Sequence, residues 1–406
     1  MGLTGVKINR LNGGLGRKNP TLDGVALLIV KRAVAATGLT IKTAVELLSL
    51  KSAEDLGINA TYDDTNSVLA HYHVDEFFRI APDGKLFLVL DDGTLTNAEI
   101  KTILKENSSI KFMGVVTNSV PGLDVLPSTF VSGYQALVDE LRLESRNISA
   151  VLLESGYFDI ATTIATYQDL RTLASGNVSV VISQDPVIAA LKPAYATHAA
   201  IGTALGALSV RGVNESLGSV DIINKPSAAR GQRDYPLTDL ARGRWLDAAL
   251  QSGKAFSTLT AAELQALNDK GYIFVASYNG YAGFFFNDSH TATTLSDDFS
   301  RIENNRVFDK AAGLLRNVML PKVKANIAKN PATGTIADAA ATELEALGNG
   351  ALQRMQAAGE ISGFDTYIDR AQTLANDVPL RVKAQVVVNG IIHSIEIDLG
   401  LTNKLQ

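Results

Sequence analysis

Residues 85–116, KLFLVLDDGTLTNAEIKTILKENSSIKFMGVV, contain a strand, a helix and a second strand in succession. The run 85–90 is apolar and follows the turn residues Pro82, Asp83 and Gly84, and 110–116 has the same β-rich character. Residues 96–106 between them have helical spacing. This order predicts a βαβ unit, whose two strands run parallel in one sheet.

The same alternation extends along the first two thirds of the chain. We predict further strands over 25–30, 148–153 and 178–183, and helices over 65–80, 128–144, 160–174, 194–208 and 237–251. Aromatic strands over 272–278 and 281–287 and long helices over 303–328 and 338–358 follow. The pattern predicts an α/β body with a largely parallel sheet and a C-terminal α+β domain.

Glycine-rich and proline-rich stretches suggest the domain boundaries. We expect an N-terminal arm over 1–20, the body over 21–235 with an outer part at about 21–145, a C-terminal core domain over 236–379, and a hairpin and arm over 380–406. Residues 3–11 alternate weakly, with Val6 and Ile8 against Lys7 and Asn9, which favours an extended arm or a frayed terminus.

Composition excludes several functional classes. The chain has 406 residues, 46% of them hydrophobic, so it can bury large cores. A formal net charge of -5 argues against a nucleic-acid binder, and the absence of cysteine excludes disulfides and thiolate metal sites. We see no export signal, and the most apolar later stretch, 186–210, is interrupted by Lys192, Pro193 and His198, which argues against a membrane span.

The C-terminal sequence predicts a β-hairpin. Residues 380–388 and 391–399 are β-rich, and Asn389-Gly390 between them is the signal for a type I′ turn. That turn sets Lys383 opposite Glu396 and Arg381 opposite Asp398 on one side. The other side is apolar and pairs Val388, Val386, Ala384 and Val382 with Ile391, His393, Ile395 and Ile397. Because a lone ribbon is marginal in water, this face must pack on its own domain or on another subunit.

The helix that begins near residue 301 is locally basic. Residues 301–329 carry seven Lys and Arg against Glu303 and Asp309, a local +5 (7 minus 2). Its apolar residues predict a buried face, which leaves Lys310, Arg316 and Lys322 on the outer face, either to meet an acidic partner or to be solvated.

Candidate catalytic motifs are weak. Residues 11–16, LNGGLG, resemble the glycine-rich loop of UDP-sugar pyrophosphorylases, but RKNP follows in place of that family's continuation, so nucleotide transfer is only an alternative. His71 and His73 would lie on different helix faces, and the DSH run at 288–290 lacks a nucleophile elbow. We predict no catalytic, metal or cofactor site.

Ordered motifs in the last third resemble contractile tail sheath proteins of phages and injection particles. They are NDKGYIF at 268–274, GYAG at 280–283, FND at 286–288 and RIENNRVFDKA at 301–311, followed by LP at 320–321, GTI at 334–336, GEISG at 359–363 and the closing hairpin. The resemblance is strong over about a third of the chain and looser over 148–224.

The resemblance implies a sheath-type C-terminal domain in a structural protein, not an enzyme, that needs no cofactor. Such a protein forms stacked rings with copies of itself around an inner tube protein and contacts baseplate and tail terminator proteins, with no role for nucleic acid or membrane insertion. Assembly is expected in the bacterial cytoplasm, in a phage or an injection particle. Another tail structural protein, such as a tube or baseplate part, is the remaining alternative.

In that family, terminal arms add strands to another subunit's sheet. The expected linker residues are Val6, Ile8, Arg10, Arg381, Lys383, Asn389, Gly390, Ile395, Glu396, Ile397 and Asp398. The expected tube-facing residues are Lys310, Arg316 and Lys322. We expect that trimming residues 2–11, or the substitution Gly390→Val, leaves a folded monomer that does not assemble.

Overall fold

A computed structural model describes residues 23–118, 127–154, 162–220, 237–373, 375, 378–397 and 399. The chain divides into two compact units, Met1–Asp309 and Lys310–Gln406. This division falls later in the chain than the boundary that we expected after residue 235. The expected boundary stays a prediction.

The described residues form the following strands and helices. The strands are β1 (Ala26–Lys31), β2 (Val45–Leu47), β3 (Leu86–Asp91), β4 (Phe112–Val116), β5 (Ala150–Glu154), β6 (Val178–Val181), β7 (Ser183–Gln184), β8 (Ala249–Leu250), β9 (Tyr272–Ile273), β10 (Val275–Tyr278), β11 (Tyr281–Phe286), β12 (Ile361–Tyr367) and β13 (Lys383–Val388). The helices are α1 (Leu50–Asp55), α2 (Ala60–Asn66), α3 (Ala70–Ile80), α4 (Asn97–Glu106), α5 (Pro127–Leu143), α6 (Pro186–Ala189), α7 (Ile201–Val210), α8 (Ala261–Asp269), α9 (Ile302–Met319) and α10 (Asp338–Ala357).

A seven-stranded sheet organises the first unit, in the order β2-β3-β1-β4-β5-β6-β9. Only the β2–β3 pair is antiparallel, so the predicted α/β body with a largely parallel sheet is confirmed. In β1, Leu27 and Ile29 face one core while Leu28 and Val30 face the other. Both faces are buried, which explains the uninterrupted apolar runs in the sequence.

The predicted helix over 65–80 is two helices, α2 and α3. Ser67 ends α2 in the left-handed conformation, with φ of 57°. The Asp63 carboxylate then accepts hydrogen bonds from the backbone N–H groups of His71 and Tyr72 at 2.9 and 3.0 Å, which satisfies the first turn of α3. A side chain from α2 therefore caps the next helix.

The helices predicted over 160–174 and 237–251 are wrong. The described part of the first contains only short 3₁₀ turns, and the Lys270 ammonium donates a hydrogen bond to the Ala165 carbonyl at 2.7 Å. In the second, Trp245 is fully buried and has φ of 51°. Its indole N–H donates to Glu76 at 3.1 Å and its backbone N–H to Asp185 at 3.0 Å. Tertiary contacts overrode the local helical pattern at both places.

Helices α3 and α7 cross very closely, because α7 carries glycine at the contact. A Cβ atom on Gly202 would lie 2.2 Å from the His73 carbonyl oxygen, and one on Gly206 would lie 2.9 Å from the Phe77 carbonyl oxygen. Backbone atoms cannot rotate away as side chains do, so neither position accepts a larger residue without a shift of one helix.

We expect Gly202→Ala to destabilise the protein by about 1–3 kcal/mol, because the added methyl group overpacks the α3–α7 contact. Gly133→Ala in α5 is the matched control, since no described atom lies within 4 Å of its Cβ position. Alanine favours a helix, so the control should be neutral or stabilise by up to about 1 kcal/mol. Urea unfolding curves measure both, and equal effects of the two variants would contradict the close packing.

Candidate functional site

The β12–β13 ribbon lies in the C-terminal unit and packs on α10. Thr366 of β12 is buried, and a Cβ atom on Gly348 of α10 would lie 2.7 Å from its Cγ2 atom. A small apolar core lies beside this contact. It consists of Ile336, Ala341, Leu344 and Ile368, with Leu380 partly buried against it.

Polar side chains fix the connection between β12 and β13. Glu345 of α10 accepts a hydrogen bond from the Ile368 backbone N–H at 2.7 Å and forms a two-point ion pair with Arg370. Gln372 then exchanges two hydrogen bonds with the backbone of Arg381, each of 2.8 Å. The start of β13 is therefore held without help from residues beyond it.

The end of β13 is held by Asn389. Its amide Nδ2 donates to the Gly359 carbonyl at 2.7 Å, and its Oδ1 accepts from the Ser362 hydroxyl at 2.8 Å. Neither Asn389 nor Gly390 has a positive φ. A type I′ turn requires positive φ at both of its central residues, so no type I′ turn forms at this point.

The predicted hairpin between 380–388 and 391–399 is therefore wrong. Strand β13 pairs antiparallel with β12, in a register that sets Lys383 beside Tyr367 and Val388 beside Ile361. Residues 391–397 form no strand. Local turn chemistry predicted the pairing, but the side chain of Asn389 is used to close β12 onto β13. The expected pairing of Lys383 with Glu396 inside one chain is absent.

Residues 391–397 keep the alternation of a strand, but the structure has no strand over them. Ile392, Ile395 and Ile397 expose 77%, 74% and 79% of their surface. Among the described residues, β12 and β13 form a sheet of two strands, so no third strand covers the outer edge of β13. The unit thus combines an open strand edge with an exposed apolar segment.

Two of the three residues expected to be free on the basic helix have acidic neighbours, so that expectation is corrected. Lys310 lies 2.6 Å from Glu360, and Lys322 lies 2.5 Å from Glu343. Arg316 is exposed, and the structure gives it no ion pair among the residues it describes. The local positive charge is therefore smaller than the sequence count suggests.

The first part of the 301–311 motif supports the body of the protein. Arg306 donates hydrogen bonds to the carbonyls of Arg211 and Gly212 at 3.2 and 3.0 Å, and Asn305 donates to the Gly176 carbonyl at 2.7 Å. Burial raises the pKa of the Glu303 carboxyl to about 7. The sequence analysis identified the motif, but it did not predict that the polar side chains of the motif bond to backbone carbonyls of the body.

The DSH run at 288–290 does not form a catalytic triad. The Ser289 hydroxyl donates to Glu303, and not to His290. Nδ1 of His290 lies 2.7 Å from a guanidinium nitrogen of Arg171 and 2.9 Å from one of Arg301. Since two cationic donors face that nitrogen, it cannot accept a proton from serine.

Other expected sites lie partly outside the described residues. Val6, Ile8, Arg10 and the LNGGLG loop fall within 1–22, and Asp398 is also outside. In the parts of the chain that the structure describes, no cluster of His, Asp or Glu side chains could hold a metal ion. None of the described helices is both long and apolar enough to span a lipid bilayer.

Two family models match nearly the whole chain. The model described as the DUF2586 N-terminal domain matches residues 3–290, and the DUF2586 C-terminal domain model matches residues 298–406. The chain belongs to the DUF2586 family. No curated protein matches this DUF2586 chain significantly.

Solved structures similar to this DUF2586 protein include a chain of a prophage baseplate and a chain of a contractile injection system. A chain of the anti-feeding prophage baseplate has a TM-score of 0.62 at 14% identity, with 99% of each chain covered. A chain of the contracted PVC sheath complex, from an extracellular contractile injection system, has a TM-score of 0.59 at 14% identity, with 99% of this chain and 98% of that chain covered.

A third similar structure is the sheath tail protein from Desulfitobacterium hafniense. Its TM-score is 0.51 at 13% identity, with 95% of this DUF2586 chain and all of that chain covered. The likeness runs over the full length of all three structures. The resemblance to tail sheath proteins, first found in sequence motifs, is therefore confirmed at the level of the fold.

Proposed function

We propose that this DUF2586 protein is a structural sheath subunit, which polymerises around an inner tube and contracts to drive that tube through a target envelope. The observation that carries the proposal is the exposed segment 391–397, which has the alternation of a strand but pairs with no strand among the residues that the structure describes. The full-length likeness to a chain of the anti-feeding prophage baseplate and to a chain of a contractile injection system's sheath complex supports it.

Strand addition supplies the connection between subunits. An extended segment that joins the edge of another subunit's sheet forms backbone hydrogen bonds there, whatever its side chains are. Because the donated segment and the accepting edge are different surfaces, the contact is heterologous and can continue as a helix of stacked rings. Residues 391–397 are the donor, and the N-terminal arm with Val6, Ile8 and Arg10 is proposed as a second linker.

Contraction then requires two arrangements of the same subunits, not a chemical reaction. Linked subunits can slide past one another while their donated strands stay paired. The extended arrangement would be held behind a kinetic barrier until the baseplate releases it. The further partners are the inner tube protein, the baseplate and a tail terminator protein, and assembly would take place in the bacterial cytoplasm.

A second candidate is another tail structural protein, since one similar chain belongs to a particle baseplate. A baseplate part closes into one ring, whereas a sheath subunit continues into a cylinder. The sugar-nucleotide transferase alternative receives no support from the family or from the similar structures.

Deletion of residues 391–406 should leave a folded protein that forms no cylinders. Its thermal unfolding should match that of the full chain, because Ile392, Ile395 and Ile397 are largely exposed and add little to the core. The double variant Ile395→Val, Ile397→Val is the control, since it keeps a β-favouring pattern and should assemble. Negative-stain electron microscopy measures assembly, and normal cylinders from the truncated chain would defeat the linker role.

Of the three residues expected to face the tube, we propose Arg316, because Lys310 and Lys322 have acidic neighbours. Arg316→Glu should reduce retention of the inner tube protein in sheath cylinders by about tenfold, the equivalent of about 1.4 kcal/mol. Arg354→Glu makes the same charge change at an exposed position of α10 and should retain the tube. Co-sedimentation measures retention, and equal losses in both variants would contradict a specific role for Arg316.

A further inference from the structure

Asn-Gly pairs can modify themselves, because glycine has no side chain to hinder its backbone nitrogen from attacking the side-chain amide of the preceding asparagine. The described part of the chain contains three such pairs, at 279–280, 349–350 and 389–390. A fourth pair, at 12–13, lies outside the described residues. The three described pairs have the same two residues but are held differently, so the fold decides which of them reacts.

Asn279 lies at the tip of the β10–β11 hairpin. Tyr278 pairs with Tyr281, so Asn279 and Gly280 form a two-residue turn. Both turn residues are exposed, and no described atom lies within 4 Å of the Cβ position of Gly280. Among the described residues, neither the Asn279 side chain nor the Gly280 N–H has a hydrogen-bond partner. Neither group therefore has to leave a partner before the two can react.

The strands that carry this turn are fixed. Phe285 and Phe286 are buried, and the Tyr281 hydroxyl donates a hydrogen bond to the Val220 carbonyl at 3.0 Å. Gly280 has φ of 79°, a conformation that glycine adopts without strain. The freedom is therefore confined to the two residues that would react.

The other two described asparagines are restrained. Asn389 donates from Nδ2 to the Gly359 carbonyl at 2.7 Å and accepts at Oδ1 from the Ser362 hydroxyl at 2.8 Å. Asn349 lies inside α10, where the N–H of the next residue is bonded along the helix, so the helix must open before that nitrogen can attack. Each of these two sites has a barrier that Asn279 lacks.

We propose that Asn279 is a site of spontaneous deamidation, with water as the only co-reactant. The Gly280 nitrogen attacks Cγ of Asn279, a new N–Cγ bond forms, and the Cγ–Nδ2 bond breaks. The proton of the Gly280 amide leaves with Nδ2 as ammonia, and a cyclic succinimide remains. Water then adds to either carbonyl of this ring and opens it to aspartate or isoaspartate. No atom is oxidised or reduced, so the reaction needs no redox partner.

The reaction places a carboxylate between two exposed aromatic side chains. Tyr278 and Tyr281 expose 45% and 37% of their surface. One added negative charge changes the formal net charge of the chain from -5 to -6. Isoaspartate also adds a methylene group to the backbone of the turn. A hairpin tip that is neutral in the newly made chain therefore becomes charged and longer as the protein ages.

Peptide mapping by mass spectrometry, after incubation of the folded chain at mildly alkaline pH, tests the proposal. Asn279 should deamidate at least about tenfold faster than Asn389, because Asn389 must first break two hydrogen bonds. Asn349 should also react more slowly than Asn279. In guanidinium chloride, where the fold is lost, the three sites should react at similar rates. Equal rates at Asn279 and Asn389 in the folded chain, or an unchanged ranking in the denatured chain, would overturn the proposal.

Ser362→Ala tests the restraint at Asn389. It removes the hydroxyl that donates to Asn389 and leaves the hairpin over 275–286 intact. Ser362 is exposed, so the fold should tolerate the change. Deamidation should become severalfold faster at Asn389 and keep its rate at Asn279. An unchanged rate at Asn389 would mean that hydrogen bonding does not select the site and would contradict the inference. All of these measurements use the isolated chain, so they do not depend on the sheath function.

Discussion

The open edge of β13, which pairs with no further strand among the described residues, is the constraint that shapes the C-terminal unit. The connection from β12 to β13 is fixed at both ends, by Gln372 at the start of β13 and by Asn389 at its end. Beyond that point the chain continues as an exposed apolar segment. Exposed strand edges of this kind are usually blunted or covered in monomeric proteins, because they invite pairing with other chains.

In contrast to the open edge of β13, the sheet of the first unit is covered. This sheet is buried on both faces, and the α3–α7 contact of the unit leaves no room for a methyl group on Gly202. Arg306 and Asn305 at the start of α9 use their side chains to hold backbone carbonyls of the body. Such a body suits the proposed sheath function, in which the body would keep its shape while terminal segments carry the connections.

The sequence predicted the buried strands well. Strands β1, β3, β4 and β5 are continuous apolar runs, and such runs are expected in a sheet that is buried on both faces. It failed where tertiary contacts decided the backbone, as at Trp245, whose indole and backbone N–H groups both bond to distant carboxylates. The C-terminal error is more informative. Asn389-Gly390 is a strong turn signal, but the amide of Asn389 is engaged with Gly359. The alternation of 391–397 predicted a strand, but the structure has no strand over these residues.

Hydrogen exchange of the backbone amides tests the missing partner most directly. In the isolated subunit, residues 391–397 should exchange at the rate of an unstructured peptide, while the amides of β13 that bond to β12 are protected. In assembled cylinders the same segment should become protected. Protection of 391–397 already in the isolated subunit, or its absence from the assembled one, would contradict pairing between copies.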